Sequence, residues 1–134
     1  ARLYADAFAS NPQLASGFDQ ENRYRAACSA ALAAAGRGED TRLLPDKVAV
    51  MFRRWALGWL RDDLTAYAKL AEQSKPEAMK TIQDRLAHWR SDADLVSVRD
   101  PQALDRLPDN ERAAWQALWR DMDELAARIA KKTN

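Results

Sequence analysis

The apolar positions of this chain recur at steps of three and four, the spacing of one face of an α-helix. The clearest run is near the C-terminal end. There Trp115, Leu118, Met122, Leu125 and Ile129 follow steps of 3, 4, 3 and 4. This narrow, coiled-coil-like seam predicts a helix from about Pro108 to Lys131. Lys131 and Lys132 suit the negative end of its dipole. A second long pattern predicts a helix from about Pro45 to Gln73, with Pro45 in its first turn. Its stripe is Val48, Phe52, Trp55 and Trp59, with Leu60, Leu64, Tyr67 and Ala71 one step round. Met79, Ile82, Leu86 and Trp89 mark a third, begun by Ser74-Lys75-Pro76-Glu77 with Ser74 as N-cap and Glu77 at the capping-box position.

Upstream, Tyr24, Ala27, Cys28, Ala31 and Ala35 form the inner face of a helix with Asp19 as N-cap. Gly36 is suited to close it. Residues 2 to 10 predict a first helix stopped by Asn11-Pro12. Between these elements, residues 13–20 read as a link or short turn containing Gly17. Residues 36–44 read as a polar loop with Gly36 and Gly38. Residues 91–108 read mostly as loop, with one helical turn around Pro101 to Arg106.

Composition agrees with a helical fold. The chain has 134 residues, enough to bury about two-thirds of its unfolded surface. With 4 glycines and 5 prolines it lacks the turn residues of an all-β protein. The fold class expected is all-α, an antiparallel helical array forming a single domain over residues 1–134.

Charge excludes one function class. With 21 basic and 20 acidic residues, the net charge of +1 supplies no basic excess for a nucleic-acid surface. The alternating signs at Arg61-Asp62-Asp63 and Arg120-Asp121-Met122-Asp123 read as solvated helix faces. One Cys and one His make neither an internal disulfide nor a zinc site, and fit a reducing, cytoplasmic setting. No apolar run approaches the ~20 residues of a membrane span. The chain lacks a starting Met, so the parent protein could still be membrane-anchored upstream.

Candidate chemistry is thin. Cys28, flanked by Ala27, Ser29 and Ala30, reads as a buried thiol rather than a nucleophile. His88 reads as a half-exposed structural imidazole rather than a general base. Trp55/Trp59 and Trp115/Trp119 are i,i+4 pairs, as an aromatic box would need. Each pair also has a member on a core stripe, so packing is the favoured reading. Adjacent Asp62 and Asp63 diverge by about 100° on a helix, and Asp121 and Asp123 also face apart. Neither pair is placed to share a proton or a metal. No catalytic, cofactor-binding or metal-ligating residue is therefore assigned.

Two sets of residues are candidates for binding a partner. Asn22, Arg25 and Ser29 point away from the Tyr24/Ala27 packing face. They could hold a peptide backbone or carboxylate, with Arg25 making a bidentate contact. Trp119 lies off its helix's main seam and, if exposed, is the best single interface anchor.

The opening, with Tyr4, Ala7 and Pro12, resembles the second helix of a tetratricopeptide pair, in which an aromatic, a small residue and a closing proline have this spacing. Further words are Arg23-Tyr24, Ala26-Ala27-Cys28, Ala30-Ala31-Leu32 with Gly36 and Gly38, Ala56-Leu57, Trp59-Leu60 and Asp62-Asp63-Leu64. Later come His88-Trp89, Asp92, Asp94-Leu95, Val98-Arg99-Asp100, Trp115 and Leu118-Trp119. Together they resemble the C-terminal tetratricopeptide-containing tails of planctomycete-type bacterial serine/threonine protein kinases and related repeat proteins. The resemblance implies a kinase domain far upstream and a tail that is a helical interaction or regulatory module.

The chain itself has no Gly-rich phosphate loop, no Asp-Phe-Gly and no catalytic-loop Asn. The pattern is loosened: Tyr24 falls about six residues late for the 34-residue period, and Arg25 stands where the family has Asn. Residues 1–44 thus read as a degraded repeat and residues 45–134 as a long-helix capping bundle, together the C-terminal fragment of a larger protein. The expected function is a non-enzymatic protein–protein interaction or scaffolding module. Its partner would be a protein or peptide segment, from another protein or from the parent chain. The alternatives are a structural cap of a helical solenoid and a small helical ligand sensor with a Trp-lined pocket.

Overall fold

The computed structural model describes residues 1–16, 21–36 and 46–133. The expected N-cap Asp19, the link glycine Gly17, most of the 36–44 loop and Pro45 lie outside the described residues. Among the described residues the regular structure is helical, with no strand. The chain divides into two compact units, Ala1–Asp63 and Leu64–Asn134.

In the first unit, α1 (Arg2–Ser10) stops at Asn11, whose backbone is extended at φ −144° as a residue before proline requires. Asn11 Oδ1 accepts the Gln13 N–H at 3.2 Å and starts a single turn, α2 (Gln13–Ser16). Next comes α3 (Asn22–Ala34), entered through Glu21 in the left-handed region at φ 51°. Gly36 leaves it at φ 73°, where a Cβ would be strained. Ala26, Ala27, Ala30 and Ala31 are all at 0% exposure, so α3 buries methyl groups and little else beside Tyr24 and Cys28.

The long α4 (Asp46–Glu72) runs through the boundary between the units. Its buried stripe in the first unit is Phe52, Ala56 and Leu60, at steps of four. The stripe predicted through Trp55 and Trp59 is therefore rotated. Both tryptophans lie half-buried on the shoulder, and Ala56 takes the inner position.

In the second unit the last turns of α4 bury Leu64, Tyr67 and Ala71. The reversal into α5 (Pro76–Ser91) departs from the capping box. Ser74 is left-handed, φ 54°, and donates its N–H to the Ala71 carbonyl, so it closes α4. One residue cannot both close one helix in the left-handed region and cap the next in the extended region. The N-cap position falls to Lys75, without a side-chain cap bond, and Pro76 supplies the first turn.

Residues 91–108 were expected to be mostly loop with one helical turn around Pro101 to Arg106; that turn is present, and residues 93–99 are helical as well. A 3-10 turn at Ala93–Leu95 is followed by α6 (Val96–Arg99) and α7 (Pro101–Leu104). Two interactions hold this stack. Asp92 Oδ1 accepts the Asp94 N–H at 2.9 Å. Arg99 Nη1 donates to the Trp89 carbonyl at 2.9 Å and to the Asp92 carbonyl at 2.7 Å, satisfying the end of α5. Leu95, Val98 and Leu104 are buried.

The last helix, α8 (Asp109–Thr133), packs along α5. Its seam Trp115, Leu118, Met122, Leu125 and Ile129 is at most 2% exposed, so this face is covered within the chain. Arg90 and Asp123 pair across the two helices. Lys132 Nζ donates to the Ala71 carbonyl at 3.2 Å, tying the end of α8 to the end of α4.

Candidate functional site

Asn22, Arg25 and Ser29 occupy one side of α3 at i, i+3 and i+7, the spacing that stacks side chains on a helix face. They are not equivalent. Asn22 Nδ2 donates to the Leu14 carbonyl at 2.8 Å, which ties α2 to the first turn of α3. Ser29 is half-buried, and Arg25 is exposed. Two residues earlier Arg23 faces the other way, its Nε 2.6 Å from Asp63 Oδ1, with side-chain exposures of 16% and 8%. The helix thus carries one arginine that fixes α3 to α4 and one that faces solvent.

Trp119 does not meet the condition of exposure that would make it an anchor. It is half-buried, stacks on Trp115 at 6.2 Å with 22° between the rings, and donates its indole N–H to the Val98 carbonyl at 2.8 Å. Its work lies inside the chain, joining α6 to α8.

A feature of the first unit that the sequence reading missed is a connected row of rings. Tyr4 contacts Phe8 at 6.0 Å, and Phe8 meets Trp59 edge-on at 5.5 Å. Trp59 lies 6.1 Å from Trp55, which stacks on Phe52 at 5.4 Å. The signal was present in two i,i+4 pairs, Tyr4/Phe8 and Trp55/Trp59, but nothing local shows that they meet. The row holds one side of α1 against α4. α1 has no buried residue, Leu3 is 85% exposed and, in α2, Leu14 is 38% exposed.

The groups considered for catalysis do not converge within either unit. Cys28 is buried. His88 is 63% exposed, with Nε2 3.3 Å from Asp92 Oδ2, one turn on at the end of α5. Asp92 is in turn occupied by the Asp94 N–H. Asp62 is exposed whereas Asp63 is buried on Arg23, the divergence that adjacent helical positions impose. Asp123 pairs with Arg90.

Two cavities lie among the described residues. The cleft among Ala71, Leu125, Ile129 and Lys132 holds about 20 Å³, room for about one water. The groove along Lys47, Val50, Met51 and Arg54 is a surface feature of one face of α4. Trp89 and Trp115 are at 0% and 1% exposure.

Comparison with protein-family models, curated proteins and solved structures finds no match to this chain. No helix among the described residues is long and apolar enough to cross a membrane.

Proposed function

We propose that the chain is a non-enzymatic interaction or scaffolding module of a larger bacterial signalling protein, presenting a helical surface to a protein or peptide segment. The observation that carries this reading is α1. It is an amphipathic helix with no buried residue and a leucine 85% exposed, in the same unit as the exposed Arg25 of α3. An exposed leucine and an exposed arginine on one unit offer a partner apolar area for affinity and charge for orientation.

The test is affinity capture from lysate of the source organism with three baits: the native chain, Leu3→Asp and Arg25→Ala. Asn22 is left intact, because removing its bond to the Leu14 carbonyl would loosen α2 and confuse binding with folding. A protein retained by the native bait and lost by both variants, all equally helical by circular dichroism, supports the reading. Absence of specific retention favours the solenoid cap, in which the α1 face is covered within the parent protein.

A further inference from the structure

In the middle of α4 stands Gly58, and a Cβ built on it meets no atom within 4 Å. A glycine in a helix interior weakens the helix relative to alanine. Among the described residues no close contact requires it. Glycine is favoured where another backbone comes close, and Gly58 is exposed.

The residues around it form a pattern. Arg54 and Asp62 are exposed and stand one turn before and one turn after Gly58 on the same face. Met51 and Trp55, half-buried, lie on that face too and supply apolar area.

We infer that this face is a contact between two copies of the chain, with α4 crossing α4 of the partner antiparallel at Gly58. A two-fold axis exchanges positions equally distant from the crossing point. Arg54 of each copy then meets Asp62 of the other, giving two ion pairs from one pair of residues. A parallel crossing would set Arg54 against Arg54 and Asp62 against Asp62, so the charges select the antiparallel arrangement. The missing side chain at Gly58 lets the two helices approach at the centre. This surface is separate from the Arg25 face of α3 and stands or falls independently of it.

The test is sedimentation equilibrium of the 134-residue chain over a range of concentrations, at low and high salt. The native chain forms a dimer that weakens with salt. Arg54→Asp or Asp62→Arg alone places like charges at both ends of the contact and raises the dimer Kd about tenfold or more. The double reversal, Arg54→Asp with Asp62→Arg, restores association. Gly58→Leu abolishes the dimer while circular dichroism shows helix content kept, since a Cβ at this position meets no atom of the described residues within 4 Å. A native chain that stays monomeric throughout overturns the inference. So does a dimer indifferent to the single reversals, or one that the double reversal fails to restore.

Discussion

Arg23 and Asp63 provide the sharpest test of how the first unit is held. Asp63 is the charged residue buried in this part of the chain, 6% exposed, and its Oδ1 lies 2.6 Å from Arg23 Nε. The two positions are unequal. The Arg23 side chain keeps 16% exposure against 8% for Asp63, and a long guanidinium stem can swing its charge to water, which a short carboxylate cannot.

Arg23→Met therefore takes the guanidinium away from a buried carboxylate and costs about 3 kcal/mol. Asp63→Leu alone leaves a cation that can reach solvent and costs about 1.5 kcal/mol. The pair Arg23→Met with Asp63→Leu removes both charges and stays within about 1 kcal/mol of the native chain. The measurement is urea unfolding followed by far-ultraviolet circular dichroism and by tryptophan fluorescence. With a slope of roughly 2 kcal/mol/M, the Arg23→Met midpoint falls by about 1.5 M. A loss below about 1 kcal/mol in Arg23→Met, or single losses that simply add in the double variant, would show that Asp63 is solvated and the argument wrong.

Three further outcomes follow from local geometry. At concentrations low enough to keep the chain monomeric, Gly58→Ala stabilises α4 by about 0.5–1 kcal/mol, read as a higher urea midpoint. Ser74→Gly relieves a left-handed serine between α4 and α5 and raises stability by about 1 kcal/mol, or roughly 3 °C in Tm. Trp119→Phe keeps the stacking on Trp115 but strands the Val98 carbonyl. It costs about 1 kcal/mol and speeds amide hydrogen exchange across residues 93–104, and unchanged exchange there would remove the indole from that role.

The features that were legible in the sequence are those set by nearest neighbours on one helix. The α8 seam was readable because five large residues repeat without interruption, and all five are buried. Gly36 was readable because a helix end needs a left-handed residue, and it has one at φ 73°. On α4 the stripe was misplaced because size competes with position. Trp55 and Trp59 drew the line, although Ala56 occupies the inner place and the indoles pack on Phe8 and Phe52 instead. The turn at Pro101–Leu104 was readable from its proline, but the helical turns at 93–99 were hidden because they are too short to show a period. Their key tie is Arg99 reaching back to carbonyls seven and ten residues upstream. At the candidate site, the outward face of Arg25 followed from helical spacing. That Asn22 is engaged by a carbonyl eight residues earlier did not, because such a bond depends on how the chain reverses.

The alanine face of α3 has a consequence for which substitutions the protein can accept. Ala26, Ala27, Ala30 and Ala31 have no exposed surface, so any heavier side chain there must push a neighbour aside, at about 1–3 kcal/mol. On α8 the buried positions are large and aliphatic or aromatic, and exchanges such as Leu118→Met conserve volume and cost under about 1.5 kcal/mol. A saturation scan read by folded yield should therefore show two kinds of intolerance. α8 rejects polarity and accepts reshaping. α3 rejects size itself, leaving serine and glycine as the mildest replacements, and records in its four alanines a clearance rather than a hydrophobic mass.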